Sequence, residues 1–241
     1  MVNQDSTGVS IQVIAVIPAA GLGTRLGLAK AKQFIDLCGK PMLAVTLERF
    51  QRCDLVDRIV VVVPEMDVEY CRNEIVERYS LSKIGKVIVG GQRRQDSVRK
   101  GVEAIENSCR WILIHDGVRP LVSEGLIEKV IAAAKKSRAV ITGLPVKDTV
   151  REVDERGRVA KSVDRSHLWA IQTPQIFRCE DIHLAHQKAL KHGWVGATDD
   201  AHLVEKLGIP IEVIEGEETN IKVTTLKDLE FARLLISTQT L

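Results

Sequence analysis

Short apolar runs rich in β-branched residues alternate along this chain with stretches of helical period, and that alternation restricts the fold more than any other feature. The runs fall at Ile11–Pro18, Ile59–Pro64, Lys86–Gly91, Trp111–Asp116 and Ala139–Val146. Each reads as a strand buried on both faces. Between them lie amphipathic stretches at Pro41–Gln51, Asp67–Tyr79, Asp96–Asn107 and Ser123–Ser137. Strand, helix, strand repeated in this way predicts an α/β fold with a largely parallel sheet and right-handed crossovers. With aromatic residues at only 4%, the core must be built from Val, Ile, Leu and Ala, which suits strands sandwiched between helix layers.

The pattern breaks after the fifth strand. Asp148–Asp154 and Arg158–Asp164, around Glu155-Arg156-Gly157, read as a polar hairpin arm. A two-stranded ribbon with so little apolar surface is marginal alone, so it is expected to pack on something else, a second subunit being the natural candidate. Helices near Glu180–His192 and Asp199–Leu207 and strands at Ile211–Glu215 and Asn220–Thr224 follow. No linker divides the 241 residues, and one domain is expected over 1–241 with the arm at about 148–165.

Lys+Arg 34 against Asp+Glu 32 leaves a net charge of +2, with the signs interleaved, so neither disorder nor nucleic-acid binding is expected. No window approaches a membrane span, and the polar first ten residues carry no leader pattern. Cys38, Cys53, Cys71, Cys109 and Cys179 show no CxxC spacing, which points to a reducing compartment and a cytoplasmic protein.

Candidate chemistry begins where the first run ends, at Ala19-Ala20-Gly21-Leu22-Gly23-Thr24-Arg25-Leu26-Gly27. Small residues after a strand let free amides cradle phosphate oxygens. The third glycine comes one place late for a dinucleotide fingerprint, and the GxxxxGK[ST] of a P-loop is absent. A ligand-free glycine turn is the plain alternative. Arg25 and Lys32, leaving the loop, favour a nucleoside triphosphate, because cations beside an amide cradle stabilise charge on a transferring phosphoryl group. Asp116 ends the fourth strand in His115-Asp116-Gly117-Val118-Arg119-Pro120; if that strand neighbours the first, the carboxylate enters the same crevice and can bind Mg2+. Otherwise it caps a turn. Gly90-Gly91-Gln92-Arg93-Arg94-Gln95-Asp96-Ser97 forms another amide-rich edge, with Asp96 or Ser97 as the expected helix cap. His183 and His186 share a helix face, yet no third ligand and no HExxH motif makes zinc the expectation. No G-x-S-x-G elbow anchors a hydrolase triad.

These segments, with Lys32-Gln33, Asp148-Thr149, Asp164-Arg165, Leu168-Trp169, Gln172-Thr173-Pro174-Gln175, Thr198-Asp199 and Asn220-Ile221-Lys222-Val223-Thr224, together resemble the 2-C-methyl-D-erythritol 4-phosphate cytidylyltransferases over nearly the whole chain. The resemblance implies a Rossmann-like nucleotidyltransferase fold that joins CTP to a sugar-alcohol phosphate with Mg2+, releasing pyrophosphate. It implies that Arg25 and Lys32 are catalytic and that Asp116 holds the metal. Ala19, Ala20, Gly21, Leu22, Gly23, Thr24, Gly91, Ser97, Asp116 and Gly117 would bind CTP. Arg119, Thr149, Arg165, Thr198 and Lys222 would bind the acceptor, and a homodimer would exchange its arms. Ala31 stands where many members have proline, which should loosen the loop and leave its charge. A ribitol 5-phosphate cytidylyltransferase shares the glycine loop and His-Asp motif, and a nucleotide-binding regulator would keep the cradle without turnover.

Overall fold

The computed structural model describes residues 12–21, 31–105 and 109–239. Its strands are β1 Val13–Pro18, β2 Asp36–Leu37, β3 Lys40–Pro41, β4 Arg58–Val63, β5 Ile84–Val89, β6 Trp111–Ile114, β7 Ala139–Pro145, β8 Arg151–Val153, β9 Val159–Ser162, β10 Trp169–Arg178 and β11 Glu212–Glu215. The helices are α1 Met42–Arg52, α2 Val68–Tyr70, α3 Arg94–Glu103, α4 Glu124–Ala134, α5 Cys179–Lys191, α6 Ala201–Glu205 and α7 Leu226–Gln239.

Seven strands form the main sheet in the order β11-β7-β10-β6-β1-β4-β5. β1 lies inside the sheet, parallel to β4 on one side and to β6 on the other. Successive side chains of a strand point to opposite faces. Val13, Ala15 and Ile17 therefore pack with α1 and α4 through Leu43, Leu47, Phe50, Leu126 and Val130. Ile14 and Val16 face the other layer, where Val98 and Val102 of α3 and Ile182 and Ala185 of α5 cover them. Gly101 makes this second layer close: a Cβ there would sit 2.5 Å from Val16 Cγ1. A smaller cluster joins Ile35, Met42, Val118, Val223, Leu229 and Ala232, docking α7 beside the crevice.

The sheet departs from the expected parallel series in one place. β10 inserts antiparallel between β6 and β7, with a register irregularity between Gln172 and Gln175. No continuous apolar run announces it, because Gln172, Thr173, Pro174 and Gln175 interrupt the pattern. The expected strand over Asn220–Thr224 is not a strand. Asn220 is fixed instead by its Nδ2 donation to the Thr173 carbonyl at 2.7 Å, and the Val223 amide bonds the Val118 carbonyl at 2.9 Å. The Asp67–Tyr79 helix is a composite, a 3-10 turn at Glu65–Asp67 running through α2 into a π-helix at Cys71–Glu77. α3 begins at Arg94, with Arg93 rather than Asp96 or Ser97 at its cap; Asp96 instead accepts from the Arg93 amide, three residues back.

β8 and β9 pair only with each other, and all their residues are exposed, including Val153 and Val159. Their turn is closed by Asp154, which accepts from the Arg156 and Arg158 amides, with Gly157 at φ 73°. No described helix is long and apolar enough to cross a membrane.

Candidate active site

Parallel pairing of β1 with β6, through Val13↔Trp111 to Val16↔Ile114, brings the carboxyl ends of the two strands together. Ligands of open α/β sheets bind at such ends. Here the structure opens a cleft of about 200 Å³, whose lining includes Ala19, Ala20, Gly21, Lys32, Gly91, Ser97, Asp116 and Lys222. With Arg93 and Arg94, its described lining carries four cations against the single carboxylate of Asp116. That balance suits a polyphosphate.

Asp116 is the hub. Its Oδ1 accepts from Arg94 Nε at 2.8 Å, and its Oδ2 lies 2.7 Å from Lys222 Nζ. Burial alone would raise the carboxyl, but the Arg94 and Lys222 charges overcome it and hold the group well below the usual carboxylate range. Arg94 extends the network to the other side, donating Nη1 to Asp200 Oδ2 at 2.8 Å. Asp200 is 1% exposed and also lies 3.4 Å from His186 Nε2, a separation too loose in geometry for a hydrogen bond. The remaining Arg94 nitrogen, Nη2, is buried with no partner among the described residues.

The backbone of Asp116 is fixed through His115. The Asp116 amide donates to Thr173 Oγ1 at 3.1 Å, and that hydroxyl lies 3.1 Å from His115 Nδ1. His115 Nε2 lies 3.1 Å from the Arg119 carbonyl, which can only accept. Nε2 therefore carries a proton, and Nδ1 shares a hydrogen bond with the Thr173 hydroxyl. Burial pushes the His115 value down to about 4. The unfolded chain therefore binds a proton between the ordinary 6.5 and about 4 that the folded chain refuses. Stability should fall as pH drops through that window, by about 3 kcal/mol, and this contribution should level off below it. Chemical unfolding of wild type and His115→Gln from pH 7 to 4 checks this; identical slopes would contradict it.

Close approach shapes the rim. A Cβ on Gly91 would sit 2.4 Å from Asp96 Cβ, so the turn into α3 admits only glycine. The Ser97 hydroxyl accepts from the Gly91 amide at 3.0 Å and donates to the Arg93 carbonyl at 3.1 Å, bracing that turn. Gly117 stands behind the wall, where a Cβ would come 3.0 Å from Ala19 Cβ.

Leu22, Gly23, Thr24 and Arg25 lie outside the described residues. Arg119, Thr149, Arg165 and Thr198 do not line the cleft. Arg119 Nη1 donates to the Asn220 carbonyl at 2.7 Å and so holds the segment that delivers Lys222. Arg165 donates to the Lys147 carbonyl at the base of its own arm, Thr149 is exposed, and Thr198 lies in a separate open groove with Ile171 and His202. Sequence reasoning missed Asp200 and undervalued Arg94. It also passed over Gln33, a fully buried lining residue whose amide has no partner among the described residues. Two adjacent aspartates before α6 were visible, yet nothing in the sequence tells which turns inward.

Comparison with known proteins gives a consistent assignment. The family model described as 2-C-methyl-D-erythritol 4-phosphate cytidylyltransferase matches residues 13–238. A 2-C-methyl-D-erythritol 4-phosphate cytidylyltransferase of Syntrophus aciditrophicus is 43% identical over 225 residues, covering 93% of this chain and 96% of the relative. One of Caldanaerobacter subterraneus is 40% identical over 226 residues, covering 94% and 99%. The crystal structure of 4-diphosphocytidyl-2C-methyl-D-erythritol synthase from Anaerococcus prevotii superposes with a TM-score of 0.83 at 34% identity, covering 94% of this chain and 96% of that one. The chain belongs to the 2-C-methyl-D-erythritol 4-phosphate cytidylyltransferase family, enzymes that transfer the cytidylyl group of CTP to 2-C-methyl-D-erythritol 4-phosphate in isoprenoid biosynthesis.

Proposed function

We propose that cytidylyl transfer takes place in the cleft between the ends of β1 and β6, and that Arg25 and Lys32 are its catalytic cations. The observation that carries this reading is the convergence of Gly21, Lys32, Gly91, Asp116 and Lys222 on one cation-rich cleft. CTP lies with its triphosphate against the loop that begins Ala19-Ala20-Gly21 and its nucleoside toward Gly91 and Ser97, with Gly117 behind the wall. A phosphate oxygen of the acceptor attacks the α-phosphorus in line, the bond to the pyrophosphate oxygen breaks, and pyrophosphate leaves. Lys32 and Arg25 meet the charge that grows on the transferring group. The protein contributes positioning and charge and forms no covalent intermediate. Lys222, oriented by Asp116, serves the acceptor phosphate, together with Arg119, Thr149, Arg165 and Thr198.

Nucleotidyl transfer generally needs a metal, and the donor set fits Mg2+. This ion commonly takes one or two carboxylates plus substrate phosphate oxygens. Each Asp116 oxygen keeps a lone pair beyond its bond to Arg94 or Lys222. A single carboxylate would suit a cation whose other ligands are substrate phosphate oxygens and water. When bound, the ion supplies neutralising charge to the phosphates. Asp116→Asn should raise the Mg2+ concentration needed for half-maximal pyrophosphate release and cut activity sharply. An unchanged Mg2+ titration in the folded variant would remove Asp116 from the metal site.

The arm completes the acceptor site across a twofold dimer. Val153 and Val159 are 57% and 63% exposed on a ribbon whose two strands pair only with each other among the described residues, and Arg165 is turned to its own arm's base. A C2 interface would bury the valines and carry each Arg165 to the neighbouring cleft. The unbridged cysteines suit a reducing cytoplasm.

A further inference from the structure

At the opposite end of β6 from Asp116, the sheet brings together two thiols far apart in sequence. β6 and β10 pair antiparallel with Trp111 opposite Arg178, so the residues before one and after the other meet at the same edge. The Cys179 amide donates to the Arg110 carbonyl at 3.1 Å, and Cys109 Sγ lies 3.2 Å from Cys179 Sγ. We propose that Cys109 and Cys179 are a peroxide-responsive pair that closes to a reversible intramolecular disulfide, tying the entry of β6 to the head of α5.

The two sulfurs have different roles. Cys179 is the first residue of α5, a helix of 13 residues, where the unpaired amides favour a thiolate. Donation from the Cys109 S–H, set against burial and supported by His183 one turn on, brings the Cys179 thiol below its ordinary value, whereas the same contact and burial raise Cys109. Glu180, beside it, opposes the thiolate. Cys179 is thus the attacking sulfur, and Cys109, partly exposed, is the resolving one. Cys179 is 8% exposed, which suits an oxidant as small as hydrogen peroxide.

The Cys179 thiolate attacks one peroxide oxygen, the O–O bond breaks, and the departing hydroxide takes a proton to become water. Cys179 is left as the sulfenic acid. Cys109 Sγ then attacks Cys179 Sγ, forming the S–S bond and breaking S–O, and the hydroxide leaves with the Cys109 proton as a second water. Two electrons pass from the thiol pair to the peroxide. Burial raises the thiols of Cys53 and Cys71, the latter to about 12, while Cys38 is exposed with its Sγ 3.8 Å from the Arg233 carbonyl, so oxidation at Cys38 is what the test has to separate from closure of the pair.

Intact-mass measurement of the reduced full chain after brief exposure to hydrogen peroxide tests this. The expected result is the loss of two hydrogens, a non-reducing digest that links the Cys109 and Cys179 peptides, and full reversal by dithiothreitol. Cys109→Ser should form no link and should accumulate a sulfenic acid at Cys179 that dimedone traps. A wild-type protein that gains only oxygen, links other cysteines, or keeps both thiols after Cys38 has oxidised would overturn the proposal.

Discussion

Replacing Lys32 with alanine should lower turnover by at least about tenfold, roughly 1.4 kcal/mol of barrier, and Arg25→Ala should do the same. Lys32 lies in the cleft with its Cε 3.8 Å from where a Gly21 Cβ would stand, so its side chain reaches the start of the glycine loop. A cation there meets charge that is greater in the transition state than in bound CTP, and its loss should therefore appear in kcat more than in KM. Lys222 cannot substitute, because it is already paired with Asp116. Steady-state pyrophosphate release checks both variants, and wild-type turnover in either would remove that residue from the catalytic role.

The second large effect is a recovery rather than a loss. Arg165→Ala should be nearly inactive, since a guanidinium fork suits a phosphate better than any nearby ammonium. Mixed under subunit exchange with Lys32→Ala, it should regain activity. If Arg165 works in the neighbouring cleft, each heterodimer has one site with both defects and one with neither. Random exchange then restores about one quarter of wild-type sites. Absence of recovery in verified heterodimers would mean that the arm serves its own chain or no site.

What the sequence could reveal follows from where the apolar pattern is continuous. β1, β4 and β6 are buried along almost their whole length, and their runs were legible, as was the meeting of Ala19–Gly21 with Asp116 once β1 and β6 are neighbours. β10 was hidden because its middle is held by polar bonds: Thr142 Oγ1 donates to the Pro174 carbonyl and Gln175 Nε2 to Asp199. Asn220–Thr224 looked like a strand because apolar Ile221 and Val223 alternate with polar residues, yet its bonds go to loops and to Arg119, not to a ladder. α7 escaped notice because it docks on a small satellite cluster through few residues, leaving Phe231 and Leu234 exposed. Arg94 bridges Asp116, 22 positions on, to Asp200, 106 positions on, and this network has no local signature.

This cleft moves a cytidylyl group onto one particular acceptor. The most direct test of this is pyrophosphate release from CTP and Mg2+ by the wild-type protein, measured with 2-C-methyl-D-erythritol 4-phosphate, with ribitol 5-phosphate and with no acceptor. Release should depend on the acceptor, with kcat/KM for the methylerythritol phosphate at least about a hundredfold above that for ribitol 5-phosphate. Equal or greater activity with ribitol 5-phosphate, or CTP binding without turnover on either, would contradict it.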